Sequence, residues 1–283
     1  MEIKKVCVIG AGVMGSGIAQ LIAISGYSVN LVDLSEELLK NIKEKIEQNI
    51  DRHYVARNKF SKEEASKILN NIHYYTNIEE AVDKVQLVIE AIYEDMNLKQ
   101  VLFAKLDSIC EKHVILASNT SSLSITDIAS QCQHQNRIVG IHFFNPATVM
   151  KLIELIKGDK TTDETLEIAK NFSKGLKKTV VTINDSPGFV TSRLIYVLCN
   201  EAINMKMEGI ASTEDIDTAC KLAFNFPMGP LELSDLVGLD IYNNIGEYLN
   251  KEFGDKYKPS FLLKKMVNKK RLGRKSRKGF YDY

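Results

Sequence analysis

The chain has no run of about 18 or more apolar residues, the length needed to cross a bilayer, so a membrane-spanning role is excluded at the outset. It has no Cys-x-x-Cys pair: its five cysteines (Cys7, Cys110, Cys132, Cys199 and Cys220) are scattered and odd in number. That pattern excludes a disulfide framework and a zinc site, and reads as small hydrophobes in a reducing compartment. Charge of one sign is missing too, since acids and bases nearly balance at a net +1. Bulk electrostatics therefore argue against a nucleic-acid or membrane-surface protein. The basic stretch from Lys264 to Lys278 lacks interleaved aromatics and reads as a solvated helix face with some phosphate contact. No internal repeat or low-complexity segment interrupts the chain. The short N-terminal apolar stretch holds glycines and runs straight into a helical pattern, which does not suit a signal peptide. A soluble, cytoplasmic protein is expected.

What is present is enough chain, 283 residues with 45% hydrophobic, for two domains with a sizeable core. Up to residue 185, short apolar runs at 6–9, 29–32, 87–89, 114–117 and 138–141 read as buried strands. Amphipathic helical patterns at 14–25, 36–57 and 97–111 lie between them. This alternation predicts an α/β fold with a Rossmann-like, mostly parallel sheet; runs 151–156 and 179–182 extend it at its edge. The character changes at residues 184–188, where Asp185-Ser186 before Pro187 reads as a turn and then a helix start, with the proline early in the helix. Beyond Phe189 the pattern is helical, with breaks at Gly209, Pro227–Pro230, Gly238 and Pro259. Two domains are expected, 1–185 for nucleotide and 186–283 all-helical.

Glycines at 10, 12 and 15 form a G-x-G-x-x-G turn, Gly10-Ala11-Gly12-Val13-Met14-Gly15, between a strand and an amphipathic helix. Gly10 permits the tight turn, Gly12 lets backbone approach a pyrophosphate, and Gly15 allows close helix–strand packing. With Val13 and Met14, these residues open a helix whose N-terminal N–H groups favour an anion. Asp33 ends the second strand, where a carboxylate accepts hydrogen bonds from an adenosine ribose and repels a 2′-phosphate. Leu34, not arginine, follows it. NAD rather than NADP is the expected cofactor.

Of the five histidines, only His142 closes a strand of the sheet, on the side where ligands of open α/β sheets bind. Glu154 sits in the apolar run Leu152-Ile-Glu-Leu-Ile156. If the chain turns at Pro146 and returns, Glu154 reaches His142, holds its tautomer and stabilises an imidazolium, as a base in alcohol oxidation requires. The competing reading is an edge-strand carboxylate facing water. Asn119-Thr-Ser-Ser122 follows another strand end and suits either polar anchoring of ligand or ordinary turn and cap duty. A serine-hydrolase pairing of Ser121 with His142 lacks a G-x-S-x-G elbow and leaves the glycine turn without a role.

These residues, taken together, resemble the 3-hydroxyacyl-CoA dehydrogenase family, and within it the bacterial 3-hydroxybutyryl-CoA dehydrogenases. The resemblance is carried by Gly-Ala-Gly-Val-Met-Gly-Ser-Gly-Ile-Ala from Gly10, Ala-Ser-Asn-Thr-Ser-Ser from Ala117 and His-Phe-Phe-Asn-Pro from His142. It continues through Val149 to Glu154, Ser186 to Phe189, Phe226 to Leu233 and Lys278 to Tyr281, in the family's order. The resemblance implies an NAD domain, a helical domain that forms a homodimer, and an acyl-CoA substrate. It makes His142 the catalytic base, Glu154 its partner, Ser121 a donor to the substrate oxygen, and Asn145 a positioner of substrate and nicotinamide. It places Glu94, Lys99, Asn119 and Lys275 near the cofactor. Where many members have asparagine after Pro-Gly-Phe-x-x, this chain has Ser192, which keeps a polar group without the amide. The anionic CoA tail needs cations, for which Arg52, Arg57, Lys59 and Lys43 are candidates, although the same residues fit a solvated helix face. No metal is expected. A non-CoA β-hydroxy or sugar acid dehydrogenase, or an idle NAD-binding relative, are the alternatives. The intact set Ser121, His142, Asn145 and Glu154 argues against idleness.

Overall fold

The computed structural model describes residues 2–283, which fall into two compact units divided in the chain between Asp185 and Ser186. The first is built on eight strands: β1 Lys5–Ile9, β2 Ser28–Val32, β3 Ile72–Tyr75, β4 Leu87–Glu90, β5 Ile115–Ser118, β6 Ile138–Phe143, β7 Leu152–Lys157 and β8 Thr179–Asn184. They form one sheet in the order β3-β2-β1-β4-β5-β6-β7-β8. Every neighbouring pair is parallel except β6 and β7, which are antiparallel because the chain turns straight back after β6. Strands β1, β4, β5 and β6 are wholly or almost wholly buried, the signature of a sheet covered by helices rather than left facing water. Strand order runs one way from β1 to β3 and the other way from β4 onward. The β1–β4 boundary is therefore the topological switch point, where α/β sheets bind ligand beyond the carboxyl ends of their strands.

Seven helices accompany the sheet: α1 Val13–Ile24, α2 Glu36–Ile50, α3 Lys62–Asn70, α4 Ile78–Ala81, α5 Met96–Ile109, α6 Ile125–Ile128 and α7 Asp163–Gly175. Side chains of Ser35, Ser61, Asn77, Asp95, Ser124 and Thr162 cap all but the first, each accepting a backbone N–H of the first turn. Each such cap is worth about 1 kcal/mol. The helical pattern over 36–57 is not one helix: α2 gives way to a π-helical turn at Asp51–Val55, which one extra residue per turn makes invisible to a 3.6-residue period. At the carboxyl end of α5, Arg137 is 3% exposed, pairs with Asp107 at 2.7 Å and donates to the Glu111 carbonyl at 2.5 Å. It thus joins that helix end to the start of β6.

The second unit holds α8 Thr191–Met207, α9 Thr213–Phe224, α10 Pro230–Val237, α11 Leu239–Phe253 and α12 Phe261–Asn268. Its core gathers Tyr196, Cys199, Ile203, Leu231, Leu249 and Leu263 among others. Breaks fall where the sequence places them, with Gly209 at φ +73° and Gly238 at φ +110°. The expectation at Pro187 is corrected. Gly188 and Phe189 both take positive φ, 76° and 50°, so the chain turns there and α8 starts only at Thr191, beyond the proline. Two buried carboxylates clasp the C-terminal segment. Asp235 accepts the Phe280 and Tyr281 N–H groups, while Asp217 accepts the Tyr281 hydroxyl and the N–H groups opening α10.

Candidate active site

The glycine turn follows β1 and meets the geometry its residues require. A Cβ on Gly10 would lie 2.6 Å from the Ala91 carbonyl oxygen, and one on Gly15 would lie 1.7 Å from that of Gly10, so neither position tolerates a side chain. A Cβ on Gly12 would meet nothing within 4 Å, leaving backbone open to approach by a ligand. Helix α1 has no side-chain cap at Gly12, which leaves the N–H groups of its first turn without a capping side chain. Asp33 lies at the end of β2, where its Oδ2 accepts the Ala11 N–H at 2.8 Å and fixes the carboxylate beside the turn. Leu34 beside it is 88% exposed, and no cation follows to receive a 2′-phosphate. The cradle fits NAD.

The reacting pair comes from β6 and β7. Their antiparallel register sets His142 opposite Glu154, and His142 Nδ1 lies 2.8 Å from Glu154 Oε2. An ionised carboxylate only accepts, so Nδ1–H is the donor in this pair. Glu154 is 0% exposed because β8 continues the sheet beyond β7, which removes the edge-strand alternative. The Phe144 ring stands 4.4 Å from the imidazole, centroid to centroid. Asn145, exposed, follows at the turn, and Lys178 holds that turn by donating to the Ala147 and Met150 carbonyls at 2.7 and 2.6 Å. The turn lies near α1, since a Cβ on Gly17 would sit 3.6 Å from that of Ala147.

The third element is the turn after β5. Asn119 Oδ1 accepts the Phe143 N–H at 2.9 Å, tying the turn to the strand that carries His142. Glu94 Oε1 accepts the Thr120 hydroxyl at 2.6 Å, the Ser121 N–H at 3.0 Å and the Ser121 hydroxyl at 3.3 Å. Burial works to raise the Glu94 carboxyl, but the Lys99 ammonium and these donors override it and hold the group below the usual glutamate range.

Gly10, Asp33, Glu94, Asn119, Ser121, His142 and Asn145 thus line successive strand ends of one sheet edge. The other expected residues are placed differently. Lys99 is 1% exposed, with its ammonium against Glu90 at 2.6 Å and Glu94 at 3.3 Å. Lys275 belongs to the second unit, paired with Asp240. Ser192, in the first turn of α8, is buried at 8% exposure. Arg52, Arg57, Lys59 and Lys43 are exposed on α2 and the segment after it, with Lys59 over the Tyr54 ring at 5.6 Å. Sequence reading reached Thr120 within the Asn119–Ser122 cluster but missed Glu90, Ser118 and Lys178. Glu90 alone carried a signal, an acid closing an apolar strand.

Comparison with known proteins places the whole chain. The family model "3-hydroxyacyl-CoA dehydrogenase, NAD binding domain" matches residues 5–186, and "3-hydroxyacyl-CoA dehydrogenase, C-terminal domain" matches 188–283. The chain is 44% identical to a 3-hydroxybutyryl-CoA dehydrogenase of Clostridioides difficile, over 99% of both chains. It is 43% identical to human mitochondrial hydroxyacyl-coenzyme A dehydrogenase, over 99% of this chain and 91% of the relative. Among solved structures, the (S)-3-hydroxybutyryl-CoA dehydrogenase of Ralstonia eutropha superposes with a TM-score of 0.95 at 40% identity, covering 100% of this chain and 99% of the other. The chain belongs to the 3-hydroxyacyl-CoA dehydrogenase family, and its sheet-bearing unit is that family's NAD-binding domain.

Proposed function

We propose that this enzyme oxidises (S)-3-hydroxyacyl-CoA, foremost 3-hydroxybutyryl-CoA, to the 3-oxoacyl-CoA and catalyses the reverse reduction. The observation that carries the reading is the buried His142–Glu154 pair at 2.8 Å, on the sheet edge that also bears the dinucleotide turn. NAD, when bound, supplies the hydride acceptor for oxidation and, as NADH, the donor for reduction. Backbone at Gly10, Gly12, Val13, Met14 and Gly15 holds the pyrophosphate, and Asp33 the ribose. Glu94, Asn119 and Lys275 are the remaining cofactor-side residues.

In this reading His142 Nε2 takes the proton of the 3-hydroxyl, and Glu154 stabilises the imidazolium that results. In reduction the same nitrogen returns the proton. The Ser121 hydroxyl, rotating away from Glu94 Oε1, and the Asn145 amide donate to the substrate oxygen and hold it for reaction. Ser192 serves on the substrate side with a shorter reach than the amide many relatives carry. Arg52, Arg57 and Lys59, with Lys43, neutralise the CoA phosphates.

The segment 1–185 serves as the nucleotide domain and 186–283 as the dimerisation and substrate domain. Support for a homodimer comes from apolar side chains left exposed on the helical unit, among them Leu194, Leu222, Phe224 and Phe261, at 60–81% exposure. Among the described residues no helix is long and apolar enough to cross a membrane. A cytoplasmic role in fatty-acid or butyrate metabolism fits the substrate. The test is NADH consumption with acetoacetyl-CoA, compared with free acetoacetate and with NADPH. Strong turnover with acetoacetyl-CoA and NADH alone supports the reading; preference for the free acid transfers the activity to a non-CoA dehydrogenase.

A further inference from the structure

Glu90 and Lys99 form an ion pair at 2.6 Å with side chains 0% and 1% exposed. Replacing such a buried pair with apolar residues is often neutral for stability, so stability alone gives little reason for it. Its connections give a better one. Glu90 Oε1 also accepts the Ile92 N–H at 2.8 Å, and Oε2 accepts the Ser118 hydroxyl at 2.7 Å. Ser118 Oγ in turn accepts the Thr120 N–H at 3.2 Å, and the Glu90 carbonyl accepts the Asn119 N–H at 2.8 Å. From the other side Lys99 reaches Glu94 at 3.3 Å, and Glu94 holds the backbone and hydroxyl of Ser121. Ala91, next in the chain, packs its carbonyl under Gly10 of the dinucleotide turn.

We infer that Glu90 is a positioning residue: through Lys99 and Glu94, and through Ser118, it sets the turn that presents the Ser121 hydroxyl. Glu94 has a 37% exposed side chain whose Oε1 takes the Thr120 and Ser121 donors and whose Oε2 faces the Lys99 ammonium. The buried ammonium fixes it, and Glu90 fixes the ammonium. The inference rests on the reading that Ser121 contacts substrate.

A double-mutant cycle on kcat for acetoacetyl-CoA reduction tests it, with NADH affinity followed by fluorescence titration. Ser121→Ala alone must lower kcat; if it does not, the reading of Ser121 fails and the inference with it. Given that loss, Glu90→Gln is expected to lower kcat about tenfold or more by misplacing the hydroxyl. In the Ser121→Ala background Glu90→Gln should change kcat by less than about twofold. Effects that multiply, or a Glu90→Gln enzyme with unchanged kcat, overturn the inference while leaving the Ser121 reading intact. Should Glu90→Gln alone not fold, the pair Glu90→Gln with Lys99→Met removes both buried charges and still releases Glu94. That variant is expected to melt cooperatively with the same kcat deficit, and wild-type kcat in it overturns the inference.

Discussion

At the scale of single residues, the proposed chemistry depends on whether a charge or proton has a partner. Glu154 is wholly buried against His142, so Glu154→Gln removes the acceptor that fixes the imidazole and leaves an amide able to present the wrong group to Nδ1. It should lower kcat at least about tenfold, by analogy with loss of the orienting carboxylate in serine-protease triads. The pH dependence of kcat should move with it; an unaltered pH profile counts against the pairing. Asp33→Ala removes a charged hydrogen-bond acceptor from the ribose position and should weaken NAD about tenfold or more while relaxing discrimination against NADP. Titrations of both nucleotides check this, and a wild-type enzyme that binds NADP tighter contradicts it. Glu94 gives a pH prediction with a fixed sign. Its carboxyl is held low in the folded chain, so its contribution to stability is complete above about pH 4.5 and is lost as pH falls below that. Melting curves of wild type and Glu94→Gln should therefore differ by a constant amount above that pH and converge below it.

At the scale of elements, what the sequence reveals follows from how local the signal is. Strands β1, β2, β4, β5 and β6 announce themselves as apolar runs because they are buried on both faces. The edge strand β3, Ile72-His-Tyr-Tyr75, is buried only at Ile72 and has no such run, so the signal of burial on both faces is missing from it. The His142–Glu154 pair is legible because a strand, a proline turn and a returning strand are adjacent in the chain. The link from Glu90 to Ser118 spans 28 residues and exists only because β4 and β5 become neighbours, a fact of strand order that no local pattern encodes. Arg137 is of the same kind, reaching 30 residues back to Asp107. Arg137→Met removes the guanidinium from a buried carboxylate that keeps the Gln133 and His134 N–H donors, and takes the donor from the Glu111 carbonyl, which should cost about 3 kcal/mol. A fall in melting temperature on the order of 10 °C follows for a unit of this size, with calorimetry as the check.

At the scale of the whole molecule, the family assignment joins the two units in one enzyme, and the proposed dimer is a property of the second. Sedimentation should give twice the chain mass of 31.9 kDa, and Leu194→Glu on the exposed face of α8 should shift it toward one chain mass. A wild type that sediments as a single chain contradicts the dimer without touching the chemistry. The chemistry itself comes down to one comparison: NADH consumption with acetoacetyl-CoA by the wild type and by His142→Gln, with NADH affinity measured on both. The wild type should turn over, and the variant should lose about 10²–10⁴-fold in kcat while binding NADH as before. A wild type that leaves acetoacetyl-CoA untouched, or a variant that turns it over at the wild-type rate, would contradict the assignment of His142 as the acid–base group of a 3-hydroxyacyl-CoA dehydrogenase.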